Sequence, residues 1–545
     1  MAAHPSQADL TSHNRTECTV AQKKKSVQQP DVSAPIHTRV LIIGSGFSGL
    51  GMGIALQKAG IDDFVILEKA GEVGGTWRDN TYPGAACDVP THLYSYSFEP
   101  RADWSQLFSR QPEIFDYLKG VADKYGLRPH IRFGQHMTRG HWDEAENRWH
   151  AYASDGHEYI AQFVVSAIGA LHIPSIPQLA GIEEFAGAAF HSAQWDHDFD
   201  LTGKRVAVIG TGASAIQFVP EIVDRVGELK LFQRTAPWVL PRSNVDFPQG
   251  FQRALRRVPG LRFALRNGIY WTAESGAYAM NKRPGLLKGI EWAGRRHIRR
   301  QISDPIVREK VTPDYRAGCK RLLGSNSYYR AIDNPKTELI TEGIERVTTD
   351  GIVTKDGVEH KVDAIIYGTG FHVIDSFTNL SIKGRDGEDL TDRWTQEGVQ
   401  AHRGITVAGV PNAFFLLGPN TGLGHNSIVF MIESQIHYVI QAIELVDAHG
   451  VAALAPRREA QDRFNESLQR DLAGSVWNSG GCKSWYLDEH GNNRTLWAGF
   501  TWQYWLQTRR VDLSEYELIG KRPRPAVRST VPAADFPPQA LPANV

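Results

Sequence analysis

Twice in this 545-residue chain a short β-branched run stops at closely spaced glycines and continues as a helical pattern. The first instance reads Arg39-Val40-Leu41-Ile42-Ile43, then Gly44-Ser45-Gly46-Phe47-Ser48-Gly49, with helical periodicity to about Ala59 and a second strand, Phe64-Val65-Ile66-Leu67, closed by Glu68. The second reads Arg205-Val206-Ala207-Val208-Ile209, then Gly210-Thr211-Gly212-Ala213-Ser214-Ala215, a helix, and Leu229-Lys230-Leu231-Phe232. Strand, glycine turn, helix and strand form the βαβ unit. The first glycine makes the turn, the second lets backbone approach phosphate, and the third small residue lets helix and strand pack closely. Amides at the helix start then face a pyrophosphate. Two such units predict an α/β fold with two Rossmann-like dinucleotide-binding domains.

The two units differ where their second strands end. Glu68 stands about 20 residues beyond Gly49, where a carboxylate accepts hydrogen bonds from ribose hydroxyls. The other unit has Gln233-Arg234-Thr235 there. A carboxylate repels a 2′-phosphate, whereas a guanidinium binds it through charge-assisted bonds. The second nucleotide is therefore expected to be NADPH, with Arg234 on its phosphate. Phe47, Thr211, Ser214 and Thr235 are expected to line the nucleotides alongside these loops.

Two more apolar strands run into glycines, Phe163 to Gly169 and Asp363 to Gly370, and each is expected to carry the chain between domains. The predicted plan is a flexible arm over 1–36, the first part of one nucleotide domain over 37–177, and the second nucleotide domain over 178–360. That domain carries an inserted helical region at about 250–312. The first domain resumes over 361–520, and a Pro-rich tail follows over 521–545. Ala413 to Leu417 reads as the last strand, with a helix from near Asn426. The cluster Arg295-Arg296-His297-Ile298-Arg299-Arg300 reads as a solvated helix face.

Composition narrows the chemistry. Lys plus Arg equal Asp plus Glu at 60 each, which argues against a nucleic-acid partner or an electrostatic membrane anchor. No uncharged apolar run reaches the roughly 18 residues of a membrane span, and no secretory h-region is evident. The four cysteines, Cys18, Cys87, Cys319 and Cys482, are far apart and form no CxxC pair. A redox-active dithiol and a cysteine-rich metal site are thus not expected, and the pattern suits a reducing cytoplasm. Two dinucleotides without a dithiol leave a flavin, FAD, whose electrons pass to oxygen or a small acceptor.

The segment Phe185-Ala186-Gly187-Ala188-Ala189-Phe190-His191-Ser192-Ala193-Gln194-Trp195-Asp196 matches the pattern FxGxxxHxxxW[PD] at every defined position. A second pattern, [AG]GxWxxxx[FY]P[GM]xxxD, is met by Gly74-Gly75-Thr76-Trp77, Tyr82-Pro83-Gly84 and Asp88. In both, and in the order of its glycine loops, the chain resembles the type I Baeyer–Villiger monooxygenases over about residues 37–515. The resemblance implies NADPH-driven reduction of FAD, addition of oxygen at flavin C4a, and attack of the peroxide anion on a ketone to give an ester or lactone. Sulfide oxidation is implied as a side activity.

It also implies residue roles. Arg321, in Tyr315-Arg316-Ala317-Gly318-Cys319-Lys320-Arg321, is the family's reactive arginine, Asp88 the carboxylate that positions it, and Lys320 a second ligand of the 2′-phosphate. A fixed cation that stabilises a peroxide anion and then a tetrahedral oxyanion makes independent physical sense. Gly75, Thr76, Trp77, Tyr82 and Tyr94 are expected around the flavin, and Trp485 as a tryptophan closing over NADP⁺. His191 is a domain-junction residue, with Phe185, Gly187, Trp195 and Asp196 packing about it. The turn Gly418 to Ser427 is expected to line the flavin ring, with His425 in a polar contact and Cys87 in packing. The rival readings are a flavin-containing monooxygenase acting on nitrogen or sulfur, disfavoured by Trp195 and Asp196, and a non-catalytic redox-sensing flavoprotein.

Overall fold

In the computed structural model the run Val40–Ile43 forms the middle of a sheet covered on both faces, which is why it reads as unbroken apolar sequence. The structure describes residues 34–373, 380–482, 484–488 and 490–521. Residues 1–33 of the arm expected over 1–36 and residues 522–545 of the tail expected over 521–545 lie outside them, while Ile36, expected in the arm, already belongs to the first strand. From Pro35 onward the chain forms one unit.

Strand Ile36–Ile43 pairs in parallel with Phe64–Glu68 on one side and Glu158–Ser166 on the other, with Ile42 opposite Ile66 and Val165. Strand Ile131–Phe133 extends the far edge. The long strand Glu158–Ser166 divides its partnerships. Its first half joins an antiparallel meander with Met137–Asp143 and Arg148–Ala153, while its end pairs in parallel with Ala413–Phe415. Strand Ser381–Lys383 is added beside Met137–Asp143, so the chain beyond residue 380 returns to this first sheet.

The second sheet runs Thr337–Ile340, Glu228–Phe232, Arg205–Ile209, Ala364–Tyr367, Ala188–His191, all parallel. Each glycine loop therefore sits at the carboxyl end of a central strand, where α/β sheets bind ligands. Helix Phe47–Lys58 follows the first loop and helix Ala215–Ile222 the second.

Helix Ile428–Ala448 is long and apolar enough to cross a membrane by composition alone, but most of it is buried here. It packs on the first glycine-loop helix so closely that a Cβ on Gly51 would lie 2.8 Å from Ile436 Cδ1. Each aliphatic side chain in that core contributes about 1.5–3 kcal/mol. The inserted region consists of helices Gln249–Arg257, Leu261–Asn281, Lys288–Gln301 and Pro305–Lys310. Within it Arg295, Arg296, Arg299 and Arg300 are exposed while His297 and Ile298 are buried, the solvated face expected from sequence.

One cysteine expectation is corrected. Cys319 and Cys482 form a disulfide across 163 residues of sequence. Tertiary proximity, which a spacing rule cannot register, brings them together. Cys319 is buried beside Trp238, Tyr315 and Ala317, and Cys87 is a buried free thiol, as packing predicted.

Candidate active site

The first glycine loop is built by close backbone approach. Gly44 has φ +105°, and a Cβ there would lie 2.6 Å from the Ala167 carbonyl oxygen. A Cβ on Gly49 would lie 1.8 Å from the Gly44 oxygen. Gly46 differs: its added Cβ would meet only Gly75 Cα, at 3.8 Å. The two sequence patterns touch there, and Gly74 N–H donates to the Ser45 carbonyl at 3.0 Å. The open front of Gly46 and the unpaired N–H groups of a helix's first turn suit a pyrophosphate. Trp77 Nε1 donates to the Tyr94 hydroxyl at 3.1 Å, and Phe47 packs edge-on against Tyr94, so these expected flavin neighbours form one aromatic group.

The second loop repeats the plan. Gly210 has φ +106°, its Cβ would lie 2.5 Å from the Gly368 oxygen, and Gly212 is open except for that oxygen at 3.8 Å. Thr211 Oγ1 donates to the Thr235 carbonyl at 3.2 Å, tying the loop to the end of the next strand. Ser214 and Ala215 open the helix. Arg234 is exposed beside Thr235. Lys320 comes close enough that burial first, and the Arg234 charge next, pull its ammonium below the usual lysine range. Two cations this near one another repel, and an anion between them would relieve the repulsion.

Arg321 and Asp88, 233 positions apart, form a fork-to-fork pair: Nε to Oδ2 at 2.6 Å and Nη2 to Oδ1 at 2.7 Å. Nη1 donates to the Leu423 carbonyl at 3.4 Å, inside the glycine-rich turn expected beside the flavin. The Asp88 charge raises Arg321 further, against burial. Burial pushes the Asp88 carboxyl up, but Arg321 and then Arg242 outweigh it and hold it below the usual range. The pair is thus ionised at neutral pH. Tyr82, in the same motif, is pushed by burial up to about 12 and donates to Gln217 Oε1 at 2.9 Å.

The segment Phe185–Asp196 forms an edge strand and its exit. His191 lies on Ala188–His191 opposite Tyr367, is 1% exposed, and accepts from Ala193 N–H through Nδ1 at 3.1 Å. Burial lowers its imidazole below the usual range, so it is neutral at pH 7. Gly187 has no room for a side chain, with a Cβ 2.6 Å from the Phe185 ring and 2.4 Å from the Asp363 oxygen. Trp195 packs between Phe190 and Phe218, and Asp196 accepts from Asp198 and Phe199 N–H.

Residues 41–247 match the family model of pyridine nucleotide-disulphide oxidoreductases. A Baeyer–Villiger monooxygenase of Pseudomonas aeruginosa is 50% identical over 90% of this chain and 93% of its own length. Another, from Streptomyces coelicolor, is 47% identical over 90% and 94%. The chain belongs to the Baeyer–Villiger monooxygenases. The crystal structure of cyclohexanone monooxygenase from Rhodococcus bound to NADP⁺ superposes with a TM-score of 0.80 at 27% identity, covering 89% of this chain and all of that one.

For this Baeyer–Villiger monooxygenase the structure thus joins Arg321 with Asp88, Arg234 with Lys320, and Gly46 with Gly75. Trp485 stands apart, half exposed and packed against Tyr486 at 4.4 Å. Glu68 is more occupied than expected. Its Oε2 accepts from Ser45 N and Oγ at 3.0 and 2.6 Å, and its Oε1 from Ala70 N and Arg78 Nη1, both at 2.9 Å. A carboxylate has about four acceptor positions, so a ribose hydroxyl reaches Glu68 only by exchange, and the Ser45 hydroxyl is the donor free to rotate away. Sequence reasoning missed Arg78 and also Gln217, whose amide donates to Ala86 O at 3.0 Å and whose oxygen takes Tyr82 and Ala86 N. It also missed Arg242, which donates to the Cys87 carbonyl. Gln217 and Arg242 come from the second nucleotide domain and carry no local signature.

Proposed function

We propose that this Baeyer–Villiger monooxygenase inserts one atom of O₂ beside a ketone carbonyl, giving an ester or lactone, with Arg321 as the cation at the reacting oxygen. FAD, reduced by NADPH, supplies the activated oxygen. The Arg321–Asp88 fork carries the reading. Among the described residues Arg321 commits three of its five N–H donors, two to Asp88 and one to Leu423 O. The remaining two are available to the oxyanion that develops on the ketone oxygen, and a fixed donor pair there needs no reorganisation during the reaction. Asp88 sets the direction of that pair.

Other residues bind and orient. The loops at Gly44–Gly49 and Gly210–Ala215 hold the two pyrophosphates, Arg234 and Lys320 the 2′-phosphate, and Trp485, half exposed here, closes over bound NADP⁺. A cytoplasmic location is part of the proposal; the Cys319–Cys482 bond removes the cysteine pattern as support for it. The test is Arg321→Ala, assayed with a cyclic ketone. NADPH should still be consumed and hydrogen peroxide released, while ester falls by about 10² or more, the usual cost of losing a donor to an oxyanion. Ester formation at the parent rate would show that another group serves that oxygen.

A further inference from the structure

Glu274 lies in the middle of the long inserted helix Leu261–Asn281 and is 1% exposed. Across residues 249–301, which hold the first three inserted helices, the only other acid is Glu291, and the basic side chains there are mostly exposed. A carboxylate so placed is costly unless it is paired and hydrogen-bonded. Its partners all come from outside the insertion. Thr501 Oγ1 donates to Oε1 at 2.7 Å and Thr501 N–H to Oε2 at 3.1 Å, at the first residue of helix Thr501–Thr508. Asn426 donates its amide to Oε1, and His425 Nε2 lies 3.4 Å from the same oxygen. Burial pushes the carboxyl up, yet His425, Thr501 and Asn426 together hold it below the usual range.

Its place in the turn gives this cluster a consequence. The turn Gly418–Ser427 is held at its upstream end by backbone bonds, with Gly422 N–H donating to Thr495 O at 2.8 Å and Trp497 N–H to Gly422 O at 2.9 Å. At its downstream end Asn426 is held by Glu274, with the His425 imidazole alongside at 3.4 Å. Leu423 lies between, and its carbonyl is the contact of Arg321 outside the Asp88 fork. At 3.4 Å that is the longest of the guanidinium's three hydrogen bonds and the one most easily lost if the turn relaxes.

We propose that Glu274 is a positioning residue: from the inserted helix it fixes the Leu423–Asn426 segment and so the orientation of Arg321. The proposal rests on the reading of Arg321 as the cation of the reaction. The insertion thereby reaches the reacting centre through a side-chain pin, although it contributes none of the sequence-readable motifs.

The experiment uses the FAD-loaded full chain carrying Glu274→Gln, with Asn426→Ala severing the same link from the turn side should the first bind FAD poorly. Hydrogen exchange of peptides spanning 421–428 is compared with the parent, and each NADPH consumed is apportioned between ester and hydrogen peroxide. The expected result is exchange in 421–428 about tenfold faster and a peroxide-to-ester ratio raised about tenfold, with the KM for NADPH unchanged. Val347→Ala, a core change in the separate sheet around residue 350, should lower Tm without moving the ratio. Unchanged exchange and coupling in Glu274→Gln, or an equal loss of coupling in Val347→Ala, overturns the proposal while leaving Arg321's role intact. Full ester formation by Arg321→Ala overturns both.

Discussion

The two glycine loops have nearly the same backbone and opposite surroundings. Gly44 and Gly210 share φ to within a degree, and a Cβ on either would strike a carbonyl at 2.6 or 2.5 Å. They part at the third small residue. A Cβ on Gly49 would lie 1.8 Å from Gly44 O, whereas Ala215 carries its Cβ in place, with Gly368 left bare beside it. The first helix is thus pressed onto its loop and the second stands off slightly. They part again at the strand end. Glu68 is buried and saturated by four protein donors, while Arg234 is exposed and faces another cation. The carboxylate at the first loop's strand end is already satisfied within the protein. The second loop's strand end instead carries an exposed cation near a second one, a repulsion that an added anion would relieve.

That contrast can be broken in three places. Gly49→Ala puts a Cβ against backbone that cannot yield and should cost at least about 3 kcal/mol, seen as purified protein lacking FAD and a lowered Tm; normal FAD content would mean that the helix can stand off after all. Arg234→Ala should raise the KM for NADPH by about 10- to 100-fold, a loss of roughly 1.5–3 kcal/mol, with NADH kinetics little changed. An unaltered NADPH-to-NADH preference would assign the phosphate to other residues. Ala215→Gly in the looser loop should cost only about 0.5–1 kcal/mol and leave FAD content at the parent level, sharpening the contrast with Gly49. A loss as large as that of Gly49→Ala would mean that the two helices are equally constrained.

Much of the scaffold was legible because its signals are local. The strands Ile36–Ile43 and Arg205–Ile209, the helices behind them and the inserted helices follow from periodicity and glycine placement within a few residues. Arg321 and Asp88 were named through resemblance, and only the fold brings their side chains within 2.7 Å. Gln217, Arg242 and Glu274 gave no signal, because each works by reaching a carbonyl, an amide or a turn in a segment distant along the chain. Cys319 and Cys482 show the same limit, since two cysteines 163 residues apart have no spacing to read.

Sequence by itself determined the two glycine loops, the opposite charges at the ends of their second strands, and the family. Those properties depend on which residues tolerate positive φ, on side-chain size and on charge at neighbouring positions, which a chain carries whether folded or not. Tertiary structure decided that Glu68 is already satisfied, that Arg321 is aimed by Asp88 and Leu423, and that a carboxylate from the insertion holds the turn between them. Those depend on which distant groups exclude water from one another, and that is settled only when the sheets and helices pack.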